Sequence, residues 1–227
     1  MNLGRTYLAM ILIILFALAV TAVLYYLLYY RVEVNVINVS VEDVDGYPSL
    51  VIDFEASRTD RLVFMLYDES GMLRWMAPAS GGRVALHMGG YHENIVGEKT
   101  YRIEARYGDR VVFSMSYTVR GIGFNASLVD LGFGQAGFMA ILSHVVFEVT
   151  NTGDVPLYID GSTTRVYIEG GQGAGMALND LVLMPGETGK VTLGMAGMTR
   201  GFNVTLVLNI SGVEERFNID LTKYMGS

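Results

Sequence analysis

The sequence predicts an all-β protein in which two tandem β-sandwiches follow a single N-terminal transmembrane helix. Residues 7–30 carry no charged side chain and are dense in Leu, Ile, Val, Ala and Phe. Beyond them, apolar and polar residues alternate with period two in short segments separated by Gly, Asp and Asn, which is typical of strands. Two hairpin patterns, at 101–119 and 202–221, each close a unit of similar size.

Residues 7–30 are the predicted anchor, and residues 1–6 are a short cytoplasmic tail. At about 1.5 Å per residue the helix would be about 36 Å long, enough to cross a hydrocarbon layer of about 30 Å. Tyrosines at both ends are typical of membrane interfaces: Tyr7 at one, and Tyr25, Tyr26, Tyr29 and Tyr30 at the other. The apolar run continues past the candidate peptidase sites at 17–19 and 20–22, which favours an uncleaved anchor over a cleaved signal peptide.

The charges around the helix predict a cytoplasmic N-terminus and an extracytoplasmic β region in a single-pass membrane protein. Arg5 and the amino terminus precede the helix, whereas Arg31 is followed at once by Glu33. The region after the helix carries 15 basic and 23 acidic residues, a formal charge of 15 − 23 = −8. Such a surface repels nucleic acid and anionic lipid. The chain has no cysteine, which excludes disulfides and cysteine-ligated zinc.

The acceptor pattern for N-glycosylation, Asn-x-Ser/Thr, occurs four times after the helix. Its asparagines are Asn38, Asn125, Asn203 and Asn209. In the segment 202–210, apolar residues occupy the even-numbered positions, whereas Asn203 and Asn209 occupy odd-numbered positions. Because alternate residues of a strand face opposite sides, both asparagines are expected to face solvent. Two interpretations remain equally open: real glycosylation, or polar residues that simply cover the outer side of a strand.

The first unit, residues 31–120, opens with a strand at 32–41. The alternation of inward-facing and outward-facing residues shifts by one between Val36 and Ile37, as it does at a β-bulge. Strands at 50–56 and 61–67 follow, and the unit closes with the hairpin 101–119, which turns at Gly108-Asp109. The hairpin residues expected to face inward are Tyr101, Ile103, Ala105, Val111, Phe113, Met115 and Tyr117.

The second unit, residues 121–227, is predicted to contain strands at 124–131, 144–150, 156–159, 165–168 and 190–193. It closes with the hairpin 202–221, which turns at Ser211-Gly212 and directs Phe217, Ile219 and Leu221 inward. Units of about 90 and 105 residues with about seven short strands each fit two sandwiches better than one large barrel. Residues 120–123 are the predicted seam, and the absence of a Pro/Ser-rich linker predicts close coupling.

Part of the second unit resembles a known family. Residues 146–159 (VFEVTNTGDVPLYI), followed by 166–168 (VYI) and 183–187 (LMPGE), are similar to the water-stress and hypersensitive-response (late-embryogenesis type 2) domain. They are also similar to immunoglobulin-like modules common on archaeal cell surfaces. The resemblance implies a small β-sandwich without catalytic residues, used for binding or structural support. With the strand pattern, the predicted fold is two tandem immunoglobulin-like β-sandwiches.

Signatures of catalysis and of cofactor binding are scarce, so the sequence predicts a non-enzymatic protein without metal or cofactor. It lacks the nucleophile-elbow, zinc-protease and Walker patterns. The glycine-rich segment 170–175 lies in no βαβ unit and is predicted to be a mobile surface loop. A metal site that uses His87, His92 and Glu93 is disfavoured because no matching ligand spacing is evident. The 13 methionines are interpreted as core filling rather than as copper ligands.

Trp75 either anchors a partner or caps the first sandwich. The sequence as a whole predicts a membrane-tethered binding or scaffold subunit of a cell-envelope or surface-appendage assembly. Its partners would be membrane lipid, through the helix, and other envelope or appendage proteins. The alternative is a filament or surface-lattice subunit that pairs with itself by strand addition at sandwich edges.

Overall fold

A computed structural model describes residues 3–30, 32–137 and 139–224. Helix α1 (Leu3–Tyr30) begins before the predicted anchor, so residues 3–6 of the predicted tail are helical. All side chains described from residue 10 to residue 26 are exposed. Among the residues that the structure describes, no helix is both long and apolar enough to cross a membrane.

The first described residues after α1, from residue 32 onward, are packed and hydrogen-bonded. Val32 is already buried. The Glu33 N–H donates to the Ser57 hydroxyl (3.1 Å), and the Ser57 N–H donates back to the Glu33 carbonyl (3.1 Å). These bonds fix the chain immediately after the helix to the end of a neighbouring strand.

Residues 32–120 form two antiparallel sheets, of three strands (order β1-β2-β5) and four strands (order β4-β3-β6-β7). The strands are β1 (Val34–Val44), β2 (Tyr47–Ala56), β3 (Leu62–Tyr67), β4 (Leu73–Pro78), β5 (Arg83–His87), β6 (Lys99–Tyr107) and β7 (Arg110–Val119). The sheets face each other across an apolar core in which the rings of Phe54 and Phe64 lie 4.7 Å apart. The predicted all-β character is confirmed.

Two predicted features of this half are confirmed and one is wrong. The register of β1 shifts between Val36 and Asn38, so Ile37 is the extra residue of the expected bulge. The β6–β7 hairpin turns where predicted, and Tyr101, Ile103 and Ala105 are buried. Val111, however, is exposed. The register shifts between Ala105 and Arg106, and Val112 packs on the core instead of Val111.

The rest of the described chain is built on one seven-stranded antiparallel sheet, in the order β16-β15-β11-β12-β14-β9-β8, with a two-stranded sheet β10-β13 beside it. The strands are β8 (Phe124–Ala136), β9 (Met139–Asn151), β10 (Leu157–Ile159), β11 (Thr164–Ile168), β12 (Gln172–Ala177), β13 (Leu181–Leu183), β14 (Thr188–Arg200), β15 (Asn203–Ile210) and β16 (Val213–Asp220). The sheet curls until its edges meet, since the Ala126 N–H on β8 donates to Glu215 on β16 (2.7 Å). The rings of Phe147 and Phe217 lie 4.7 Å apart within the curl.

The predicted mobile loop at 170–175 is wrong, because Gln172–Ala177 forms strand β12 between β11 and β14. A Cβ at Gly175 would overlap the carbonyl oxygen of Gly194 on β14. The glycines therefore permit close strand approach rather than mobility. The β15–β16 hairpin is confirmed, with Ser211 and Gly212 at φ 50° and 92° in its turn.

Hydrogen bonds and a continuous core cross the predicted seam at 120–123. The Ile122 N–H donates to Ile95 (2.7 Å), and the Thr152 N–H donates to Gly123 (2.9 Å). Asp154 accepts from the N–H groups of Arg120 (2.9 Å) and Gly121 (3.1 Å). The boundary between units 31–120 and 121–227 stays a prediction, but the two parts are joined by direct contacts.

Candidate functional site: an aromatic row

Six aromatic side chains form a continuous row from the edge of the first half to the second half. The row comprises Trp75, His87, Tyr47, Tyr91, His92 and Tyr158. Successive ring centroids in that order are 4.3, 4.6, 5.6, 4.1 and 5.0 Å apart. These spacings lie near or within the range of favourable aromatic contacts. We call this set the aromatic row.

Two tight backbone features bring its central rings together. Asp45-Gly46 joins β1 to β2 with φ values of 55° and 83°, the conformation of a two-residue hairpin turn, and places Tyr47 directly after it. A Cβ at Gly46 would overlap the ring of Tyr91, so only glycine lets that ring cover the turn. The His92 N–H donates to the Gly46 carbonyl (2.7 Å), and His92 itself has φ 51°.

The polar atoms of the row have defined partners. The Ser49 hydroxyl donates to the Tyr47 carbonyl (2.8 Å) and lies 2.7 Å from His87 Nδ1. Because that hydroxyl has one proton, His87 Nδ1 must be the donor in the second bond. Burial lowers the pKa of His87, although the negative charge of Asp45 opposes the shift. His87 is therefore neutral at neutral pH.

The second half fixes the other end of the row. The Tyr158 hydroxyl donates to Asp43 (2.7 Å), and burial, together with this hydrogen bond, raises the pKa of Tyr158. His92 Nδ1 lies 3.7 Å from an Asp160 carboxylate oxygen. The phenol remains protonated at neutral pH and ties a β10 side chain to β1 of the first half.

The exposed rings of the row offer a surface for stacking contacts. Tyr91 is 63% exposed and Trp75 is 41% exposed, whereas Tyr158 is buried. The histidines are held by neighbouring rings and by Ser49 or Asp160. Within the described parts of the chain, no three His, Asp or Glu side chains cluster as metal ligands do.

Of the two roles considered for Trp75, the structure bears on the capping of the first sandwich, and a partner contact stays a prediction. Trp75 lies on β4 at the edge of the four-stranded sheet and packs on His87 at the edge of the three-stranded sheet, so it covers the side of the core. Part of its surface still faces solvent. The sequence did not reveal the rest of the row, although the Asp45-Gly46 dipeptide was a signal for its turn.

The other predicted site residues lie apart from the row. Asn38, Asn125 and Asn203 are exposed, and Asn209 is half-buried. Asn203 also lines a groove of about 580 Å³ with Glu169, Gln172 and Arg200. Tyr7, Tyr25 and Tyr26 are exposed on α1. The side chains of Tyr29 and Tyr30 lie outside the described part of the structure.

Comparison with known proteins leaves the family open. No family model matches the sequence, and no curated protein matches it. Among solved structures, a β-glycosidase from Bacteroides vulgatus aligns with 84% of this chain at 10% identity and a TM-score of 0.24. The chain spans 25% of that structure's length. A likeness this weak carries no inference about fold or activity.

Proposed function

We propose that this chain is a membrane-tethered, extracytoplasmic binding or scaffold subunit of a cell-envelope or surface-appendage assembly, and that it is not an enzyme. The observation that carries the proposal is α1: its described side chains from residue 10 to residue 26 are exposed, and most of them are apolar. Water disfavours such a surface, and a lipid environment relieves that cost. The apolar residues 7–30 then act as the anchor, with the N-terminus in the cytoplasm.

The two packed sheets of the first half support its description as an immunoglobulin-like sandwich, and the second half, built on one curled seven-stranded sheet, is proposed as the second such unit from the resemblance of its sequence. The second would be of the water-stress and hypersensitive-response type. This architecture suits display of a rigid surface at a fixed position above the membrane, because hydrogen bonds tie the first strand to Ser57 directly after α1.

The aromatic row is the proposed contact surface for the partner. Tyr and Trp are enriched at binding hot spots because they bury a large area at a small cost in side-chain entropy. Tyr91→Ala should therefore weaken partner capture, whereas Ile37→Ala, which removes a similarly exposed apolar side chain (61%) on β1, should not.

The decisive measurement is the composition and mass of the native particle. Membranes are first washed with alkaline carbonate, and the protein is then extracted in mild detergent and analysed by light scattering and mass spectrometry. Retention in the washed membrane, with a stable complex that contains different polypeptides, supports the proposal. Release by carbonate contradicts the tether, and a large homopolymer contradicts the scaffold.

Glycosylation at the four sequons belongs to this proposal, because it requires an extracytoplasmic β region. The Asn209 amide donates to Glu214 (3.1 Å), and its oxygen accepts from the Gly212 N–H (3.0 Å), whereas Asn38, Asn125 and Asn203 are more exposed. The native mass should therefore exceed that of the bare chain, with Asn209 the least occupied site. A native mass equal to that of the bare chain removes glycosylation.

One observation favours the alternative of a self-assembling filament or lattice. Strand β7 is an unpaired sheet edge, and residues 111–119 (VVFSMSYTV) carry no charge, proline or glycine. The segment is nearly symmetric about Met115, so two copies could pair antiparallel with like residues opposed. Such a pairing closes on two copies, so a filament or lattice would combine it with a second contact between copies. If native protein forms homopolymers, Ser116→Lys at this edge should abolish them; polymers that survive the change would exclude the edge.

A further inference from the structure

The outer side of β12, β14 and β9, with Leu178 directly after β12, carries a group of exposed apolar side chains. Its large side chains are between 41% and 67% exposed: Met139, Ile141, Met176, Leu178 and Met198. We call this set the apolar face. Patches of adjacent exposed apolar side chains mark interaction sites more often than do single exposed residues.

Charge distribution restricts what can cover this face. The outward positions of β14 from Gly194 to Met198, and those of the neighbouring β12, are uncharged, and Arg200 marks the end of the face. The chain after the helix has a formal charge of 15 − 23 = −8, so two copies repel each other over most of their surface. Two copies of the chain can therefore meet at the apolar face without bringing charges of the same sign close together.

We propose that the apolar face binds a second copy of this chain. The two sheets would pack face to face, with a two-fold axis parallel to the strands and between β9 and β14. Met198 and Ile141 are direct cross-strand neighbours, so the axis places Met198 of one copy over Ile141 of the other. The interaction is isologous and closes as a dimer.

The same two-fold axis brings opposite charges of the two copies together at the other end of β9 and β14. Lys190 on β14 and Glu148 on β9 are also direct cross-strand neighbours, and both are exposed. Neither charged group has an ion-pair partner in the part of the chain that the structure describes. In the dimer, Lys190 of each copy lies over Glu148 of the other, which makes the surface complementary to itself.

The outer side of the four strands that surround the apolar face is large enough for the interface of a stable dimer. Strands β9 and β14 contain 13 residues each. At about 3.3 Å per residue they are about 43 Å long, and with β8 and β12 the four strands span roughly 19 Å. The outer side therefore offers on the order of 800 Å², the share that one partner contributes to an interface of standard size.

Cross-linking of the full chain in detergent tests the contact, since the natural chain has no cysteine. A short bismaleimide should convert Met198→Cys mainly into a covalent homodimer. Met76→Cys, an equally accessible position on β4, should give less than about a tenth as much. A non-crosslinked Met198→Lys variant should lower the particle mass by one chain, and Met76→Lys should leave it unchanged.

Charge exchange tests the axis. Lys190→Glu should weaken the dimer at least about tenfold, and the double exchange Lys190→Glu with Glu148→Lys should restore it. Monomeric wild-type protein, equal cross-linking at Met76, or a different polypeptide cross-linked at Met198 would overturn the proposal. The dimer does not rest on the membrane anchor, so its loss would leave the proposed function standing.

Discussion

The buried amide of Asn94 is one of the contacts that join the two halves. Asn94 Nδ2 donates to the Tyr158 carbonyl (2.8 Å) and to the Ser211 hydroxyl (2.9 Å), and its Oδ1 accepts from the Tyr158 N–H (2.8 Å). The side chain thus pairs with both backbone groups of Tyr158, as a neighbouring strand would. Since Tyr158 is buried, water cannot replace these bonds freely.

Asn94→Ala should lower the free energy of unfolding by about 2 kcal/mol, because it removes the side-chain partner of the buried Tyr158 N–H and leaves the Tyr158 carbonyl with the Thr163 hydroxyl as its donor (3.1 Å). Denaturant titration of the full chain in detergent measures the change. Asn35→Ala, at an exposed asparagine of β1, should stay within about 0.5 kcal/mol of the wild type. Equal effects of the two substitutions would show that the Asn94 bonds contribute little.

His87 should make stability sensitive to mild acid. Its folded-state pKa is lowered by burial, so the folded chain binds a proton less readily than the unfolded chain. Its contribution to stability is complete above the unfolded pKa of about 6.5 and is lost as pH falls through the folded pKa. The melting temperature of the wild type should therefore decrease from pH 7 to pH 5.

The matched substitutions separate this histidine from the other titrating groups. His87→Phe keeps a stacking ring but cannot titrate, so the decrease between pH 7 and pH 5 should be smaller. His144→Gln, which changes a half-buried histidine on β9 outside the aromatic row, should retain the wild-type slope. A wild-type slope in His87→Phe would exclude His87 as its origin.

At the level of elements, local patterns predicted hairpins better than they predicted sheet order. The β6–β7 and β15–β16 hairpins follow from alternation and from their turn residues, and the bulge at Ile37 follows from a parity switch. The inward assignment of Val111 failed because a bulge within β7 itself, at the neighbouring Val112, reverses the side on which Val111 lies. Such a bulge depends on cross-strand packing, which a single segment does not encode.

Strand β12 provides a test of glycine as a packing residue. Gly175→Ala should destabilise the protein by about 2 kcal/mol, because its Cβ would overlap the Gly194 carbonyl and separate β12 from β14. Gly134→Ala on β8, where a Cβ meets no atom within 4 Å, should change the unfolding free energy by less than about 0.5 kcal/mol. Denaturant midpoints of the two variants compare these costs directly, and equal midpoints would contradict the packing role.

Across the whole molecule, the contacts that build the aromatic row join residues far apart in sequence. Tyr47 and His87 are separated by 87 − 47 = 40 positions, and His92 and Tyr158 by 158 − 92 = 66. Trp75 could be recognised from composition alone. The other five members of the aromatic row could not, because no local sequence pattern encodes which loops and strands meet. The close coupling expected from the short seam has its physical basis in these distant contacts.

The seam itself should resist proteolysis as long as Asp154 holds it. The Arg120 side chain is exposed and suits trypsin, but the N–H groups of Arg120 and Gly121 are bonded to the Asp154 carboxylate. Cleavage requires local opening, and Asp154→Ala removes these bonds. A loss of about 1.4 kcal/mol in opening free energy corresponds to about tenfold faster cleavage after Arg120.

Tryptic digestion of the full chain in detergent, followed by mass spectrometry, measures that rate. Asp109→Ala, beside Arg110 in the β6–β7 turn, should leave cleavage after Arg120 unchanged. Equal rates in the wild type and Asp154→Ala would show that the remaining contacts of the junction hold the seam without this carboxylate.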